Sequence, residues 1–338
     1  GADLPWLTGY TAMPLERLTM LVLPADADAT LVVARLEAPR VAEDPDAFAV
    51  LAWDEEADPV EIVARLVGTR RHLAISDRAW ATFLLRLQNW LPAATWRNAS
   101  SVTGPLRAVK DEAEVVALAA ASAAADRVAA PLVQGEIPLV GRTEAEVSED
   151  IGRRLVAEGH QRVNFAIVGS GPNSASPHHD ATSRIIGTGE AVVCDFGGTM
   201  DGYCSDITRT VFTGDPPEEF LALYAVLQRA QAAAVQAAAV GTACEQVDRV
   251  ARDIIAEAGY GPYFIHRTGH GIGLEEHEDP YIVGGNGQPL VPGHAFSVEP
   301  GIYLAGRFGA RIEDIVVASD DGPRALNVVD HSLAVVAG

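Results

Sequence analysis

Residues Ala191–Phe212 read AVVCDFGGTMDGYCSDITRTVF. Apolar AVVC and YCSDITRTVF flank the breaker-rich GGTMDG, a pattern that predicts a β-hairpin. Asp195 and Asp206 stand symmetrically about Met200–Asp201, inside that turn. A hairpin so centred makes them cross-strand neighbours on one face, about 4.5–5.5 Å apart at Cβ. Two buried carboxylates that close repel unless a proton or a cation lies between them. The competing reading is an asymmetric turn in which one Asp merely caps the backbone.

Working outward, Ala295–Val317 (AFSVEPGIYLAGRFGARIEDIVV) repeats the arrangement, with Glu299 and Glu313 symmetric about Gly306 in the turn-like AGRFG. Glu299 ends an apolar run before Pro300–Gly301. For Glu313 the alternative is a surface salt bridge with Arg311, which shares its face two residues earlier. Between the two acidic hairpins lies His266–Pro280 (HRTGHGIGLEEHEDP), where glycines around His270 let the backbone approach another group closely. Two Asp, two Glu and one His form an oxygen-rich donor set suited to two divalent cations, whose charge four carboxylates largely offset. Ser170–Asp180 (SGPNSASPHHD) adds a loop with adjacent histidines that, taken alone, reads as a solvated turn.

The surrounding sequence predicts an α+β catalytic region. Lys110–Gln134 and Thr143–Glu158 read as helices, the second with the Thr143/Glu146 spacing of a capping box. Pro216–Val240 and Thr242–Ala258 read as a second pair. At an offset of 100 residues Gly141 meets Gly241, Val147 meets Val247, Leu155 meets Ile255 and Gly159 meets Gly259. Chance likeness of Ala-rich helices competes with duplication, which would give two similar halves around a cleft. Towards the N-terminus, Leu18–Leu23, Thr30–Leu36 and His72–Ser76 read as strands and Pro59–Gly68 as a helix, an alternation that predicts a smaller α/β domain. The breaker-rich Asn98–Pro105 reads as a linker, dividing the chain into residues 1–104 and 105–338.

Composition narrows the function. The 338 residues carry a net charge of −21, which disfavours nucleic acid and anionic membrane surfaces as partners. No run reads as a spanning helix, and the opening GADLPWLTGY has neither an initiator Met nor a signal-peptide pattern. Three cysteines without CxxC spacing predict neither a disulfide framework nor a thiolate zinc site, and fit a cytoplasmic protein.

With these motifs in view, the chain resembles the pita-bread metallopeptidase family, which includes prolidase (Xaa-Pro dipeptidase), aminopeptidase P, methionine aminopeptidase and the metal-free creatinases. DFGGTMDGYCSDITRT, HRTGHGIGLEEHEDP, SVEPGIY and GARIEDI carry the likeness, which covers nearly the whole chain. It implies a duplicated pita-bread domain after a creatinase-type N-terminal domain that lacks about one strand and one helix at its start. It implies Asp195, Asp206, His270, Glu299 and Glu313 as ligands of two metal ions, manganese first and cobalt, iron or zinc as alternatives, with Asp206 and Glu313 bridging.

LTGYTAMPLERLTMLVLP, similar to the N-terminal domain of prolidases and aminopeptidases P, implies that branch. The activity so implied is Xaa-Pro dipeptidase, with a metal-bridging hydroxide as nucleophile and Glu299 as proton shuttle. The alternatives are aminopeptidase P action on longer peptides and, more remotely, a non-catalytic binding module. By the same resemblance His178 and His277 contact the scissile carbonyl or the intermediate, and Arg311 and Tyr203 line the substrate cleft. Arg311 is a partner for Glu313 or for a substrate carboxylate. His179, His266 and Arg267 are structural neighbours, and a homodimer is expected.

Overall fold

The computed structural model describes every residue except Glu43 and Gly338. Two compact units divide the chain, Gly1–Leu106 and Arg107–Gly338. The first contains α1 (Asp3–Thr8), β1 (Met20–Val22), β2 (Ala29–Ala34), β3 (Phe48–Trp53), α2 (Pro59–Val67), β4 (His72–Ile75), α3 (Ala81–Trp90) and β5 (Thr95–Asn98). β2 pairs antiparallel with β1 and parallel with β3, while β4 and β5 form a parallel pair. The run LVVA in β2 is buried on both faces: Leu31 and Val33 join one apolar cluster, Val32 and Ala34 another. α2 starts where the sequence places it, with Pro59 at its first position and Asp58 accepting from the Val60 N–H at 2.9 Å.

The expected linker is instead a helix, α4 (Ser100–Ala108). Its polar start caps rather than breaks: Asn98 Oδ1 accepts from Ser100 N, and the Val102 and Thr103 amides both reach Ala99 O. Asn and Ser favour helix ends for the same reason that they favour loops, so composition alone misleads here.

The second unit opens with α5 (Glu112–Val133) and α6 (Glu144–Ala157), each started by a reciprocal capping box, Asp111/Glu114 and Thr143/Glu146. β6 (Arg162–Ser170), β7 (Ala191–Met200), β8 (Tyr203–Cys204) and β9 (Ile207–Thr213) follow, then α7 (Glu218–Ala237) and α8 (Cys244–Glu257). The rest is β10 (Gly269–Gly271), β11 (Glu278–Ile282), β12 (Ala295–Val298), β13 (Gly301–Leu304), β14 (Phe308–Arg311), β15 (Asp314–Val317), β16 (Arg324–Ala325) and β17 (Ala334–Val336). One sheet runs β17-β9-β7-β6, with β8 also on β7; a second runs β11-β10-β12-β15-β16. By length and composition α5 could span a bilayer, which the sequence reading missed, yet half of its most apolar window is buried in protein.

The offset-100 correspondence recurs in three dimensions. Gly141 and Gly241 precede α6 and α8 with φ of 82° and 88°, and Gly159 and Gly259 follow them with φ of 111° and 87°. Glu144 N bonds Arg184 O, and Cys244 N bonds Gln288 O at the equivalent place. Val147, Val247, Leu155 and Ile255 are all fully buried.

One register differs from expectation. β7 and β8 turn on Asp201 and Gly202, both at positive φ, one residue later than the sequence suggested. Asp195 therefore faces Thr208, and Asp206 lies two residues further along the same face. The second hairpin keeps the expected register from Val298↔Asp314 through Gly301↔Arg311, which sets Glu299 opposite Glu313.

Candidate metal centre

The two hairpins meet at Thr208. Its carbonyl accepts from Glu313 N at 3.2 Å, and its hydroxyl donates to Glu313 Oε2 at 2.6 Å. Thr208 thus ties the chain carrying Asp195 and Asp206 to the chain carrying Glu313 and Glu299. From a third direction comes His270 in β10, its amide bonded to Ser297 Oγ at 3.0 Å. Its Nδ1 meets Gly271 O at 3.1 Å, so that nitrogen carries the hydrogen. Nε2 then faces Glu299 Oε1 at 3.2 Å and Asp206 Oδ2 at 3.8 Å. Donor atoms of Asp206, His270 and Glu313 lie within 4.8 Å of one another, and all three residues are buried.

Burial and like charge dominate the electrostatics of the cluster. Burial, together with the neighbouring Glu313, Asp195 and Glu299, pushes Asp206 well above the usual carboxylate range. Burial with Glu299 and Asp195 does the same to Glu313. Burial also raises Asp195 against the opposing pull of Arg311. Glu299 goes the other way: burial raises it, but the hydrogen bond and charge of His270 outweigh that and hold it at about 2. Asp195 Oδ1 is buried with no hydrogen-bond partner. A buried carboxylate oxygen without a donor, beside three more acids and an imidazole nitrogen, fits a divalent cation.

Arg311 is not the partner of Glu313 that the sequence suggested. Its Nη2 donates to Asp195 Oδ2 at 2.5 Å, Nε to Thr208 Oγ1 at 3.0 Å, and Nη1 to Tyr303 OH at 2.8 Å and Pro177 O at 3.3 Å. That side chain is fully buried, so these bonds occupy nearly all its donors and it acts on Asp195. The Tyr303 hydroxyl lies 2.9 Å from His266 Nε2, and His266 Nδ1 lies 2.7 Å from Arg267 O. With Nδ1 donating to that carbonyl, Tyr303 donates to Nε2, so a chain of hydrogen bonds runs from Asp195 to His266.

His277 stands beside His270, ring centroids 4.0 Å apart and edge to face. Burial, aided by the charge of His270, pushes its imidazole down to about 4. The exposed His178 lies close enough for its charge to bear on both His266 and His277. Tyr203 is directed elsewhere, donating to Glu114 Oε1 in the first turn of α5 at 2.9 Å. Sequence reasoning missed Thr208, Ser297 and Tyr303. The signal was there in the two-residue alternation of a strand: Thr208 follows Asp206 by two residues, Ser297 precedes Glu299 by two, and Tyr303 lies four beyond Glu299.

The metallopeptidase family M24 model matches residues 112–320, and the creatinase/prolidase N-terminal domain model matches residues 1–109. The chain is 49% identical to dipeptidase PepE from Mycobacterium ulcerans, with a TM-score of 0.93, over 100% of this chain and 92% of that one. Against a prolidase from Thermococcus sibiricus the identity is 37% and the TM-score 0.93, covering 99% and 92%. An X-Pro aminopeptidase from Thermotoga maritima is 31% identical with a TM-score of 0.84, covering 99% and 94%.

Proposed function

Starting from a chain that belongs to metallopeptidase family M24 and carries a creatinase/prolidase N-terminal domain, we propose that it is an Xaa-Pro dipeptidase working with two divalent cations. The observation that carries this reading is the convergence of Asp206, His270 and Glu313 on one buried point flanked by Asp195 and Glu299. Those five residues would hold the ions, with Asp206 and Glu313 at the heart of the cluster and manganese the first candidate. Such a pair lowers the pKa of water and polarises an amide carbonyl at neutral pH.

The chain's own residues supply the rest. Arg311 holds Asp195 in place, and Thr208 does the same for Glu313. Glu299 Oε1 accepts from Ser297 Oγ at 3.0 Å and faces the centre, so its carboxylate can take a proton and return it to the leaving nitrogen. In an Xaa-Pro bond that nitrogen bears no hydrogen and needs one to depart. His277 and His178 stand beside the cluster to hydrogen-bond the scissile carbonyl as its charge develops. Cys194, Cys204 and Cys244 are all buried free thiols, which supports a reducing cytoplasm. A homodimer completes the reading.

Hydrolysis of Xaa-Pro dipeptides and Xaa-Pro-Yaa tripeptides by Mn²⁺-loaded protein is the test. Faster dipeptide cleavage, lost on chelation and restored by metal, is expected. Clearly faster tripeptide cleavage would replace this reading with aminopeptidase P, which the likeness to the Thermotoga maritima enzyme keeps in view. Full activity after exhaustive chelation would overturn the metal mechanism.

A further inference from the structure

Both halves of the C-terminal unit bury an acid early in their second helix, and neither acid belongs to the five-residue cluster. Glu144, the first residue of α6, is completely buried. Its Oε1 accepts from Ser170 N at 2.9 Å, Ser170 Oγ at 2.8 Å and Asn173 Nδ2 at 3.0 Å. Its Oε2 accepts from Thr182 N at 3.2 Å, Thr182 Oγ1 at 2.7 Å and His179 Nε2 at 2.8 Å. One carboxylate therefore gathers the start, the middle and the end of the Ser170–Thr182 loop, and His178 is the residue next to His179. Burial alone would raise this acid, yet its donors hold it at about 2.

Asp248, one turn into α8, does the corresponding work in the second half. Its Oδ1 accepts from Thr268 N at 3.0 Å and Thr268 Oγ1 at 2.8 Å. Arg252 bonds both its oxygens, and also donates to Phe264 O and His266 O. Thr268 O in turn accepts from Glu299 N at 2.8 Å, and His270 lies two residues after Thr268. The same device thus fastens different cargo: the loop of His178 in one half, the backbone of His270 and Glu299 in the other.

We propose that Glu144 and Asp248 are paired positioning residues, Glu144 governing substrate binding through the His178 loop and Asp248 governing cation binding through His270 and Glu299. The Glu144 half rests on the reading of His178 as a substrate contact; the Asp248 half does not depend on the substrate. A carboxylate is required at 144 because every neighbour donates, and an amide would turn its own NH₂ towards some of them.

Glu144→Gln and Asp248→Asn separate the two roles. In Glu144→Gln, amide hydrogen exchange should rise over residues 170–182, and kcat/KM for an Xaa-Pro dipeptide should fall about tenfold with Mn²⁺ affinity near wild type. In Asp248→Asn, exchange should rise over 264–270, and calorimetric Mn²⁺ affinity should fall roughly 10–100-fold, with KM at saturating metal near wild type. Thr268→Val deletes only the hydroxyl bond to Asp248, and Thr182→Val deletes the one to Glu144 together with the one accepted from Arg184 N; they should reproduce the two patterns at smaller amplitude if the acid variants fail to fold. The same pattern in both variants, or unchanged exchange in either segment, overturns the proposal. A wild type that cleaves no Xaa-Pro dipeptide would refute the substrate reading alone. The exchange and metal measurements would still judge the positioning, with kinetics moved to a dipeptide it does cleave.

Discussion

Consider Asp206→Asn in metal-free protein. The donor atoms of Asp206 and Glu313 lie within 4.8 Å, and two unit charges at that distance repel by about 3.5 kcal/mol at an effective dielectric of about 20. Burial first and this repulsion second lead wild type to keep a proton, so Asp206 sits well above its ordinary 3.8. A raised carboxyl binds protons more tightly in the folded state, so its contribution is intact at low pH. It is lost as pH climbs from the ordinary value through the folded one. Asparagine keeps the shape and removes that slope.

The variant should therefore match wild type near pH 4 and exceed it by about 2–3 kcal/mol at pH 8, or roughly 5–10 °C in Tm for a unit of this size. Mn²⁺ should raise the Tm of wild type strongly and that of the variant little, since a ligand of the native state stabilises only as far as it binds. Scanning calorimetry of chelator-treated protein from pH 4 to 8, with and without Mn²⁺, reads both effects. A metal-free variant melting at or below wild type at pH 8, or gaining as much from Mn²⁺, would refute the argument that like charges are held together here for a cation.

Glu299→Gln should cut kcat roughly 10²–10⁴-fold with the circular dichroism spectrum unchanged, and near wild-type turnover would contradict the proposed role as proton carrier. Arg311→Lys should weaken Mn²⁺ affinity about 10–100-fold by calorimetry, because a lysine cannot reach Asp195, Thr208, Tyr303 and Pro177 at once. Gly269→Ala should yield no soluble folded protein on expression, since its Cβ would lie 1.8 Å from Ser297 O across the β10–β12 pair. Glu144, held at about 2 against an ordinary 4.5, contributes at most about 3 kcal/mol that is present above pH 4.5 and fades as pH falls towards 2. Acid titration of Tm should show a steeper loss for wild type than for Glu144→Gln.

How much of this was legible in the sequence depended on whether the decisive contact was local. A capping box spans three residues, so α6 starts directly after the Thr143 that the Thr143/Glu146 spacing marks, and α5 starts two residues after the Lys110 at which the sequence reading opened it. AGRFG offers one glycine-centred turn, and the Glu299/Glu313 register followed from it. GGTMDG offered two, and only packing chooses between them. A Cβ on Gly197 would lie 2.1 Å from Ser205 O, and one on Gly198 would lie 2.5 Å from Arg162 O. Those glycines therefore serve strand contacts, while Asp201–Gly202 makes the turn. The resulting shift of two residues in strand register preserved the face, which is why both Asp residues still point the same way. Arg311 pairs with Asp195, 116 residues away, because β14 packs against β7 and β9, and no spacing within GARIEDI reports that. Residue types declare which groups need a cation, while the choice of which acid faces which base belongs to the closure of the two halves on each other. The buried acids of α6 and α8 act within their own halves, each fixing what that half brings to the cluster.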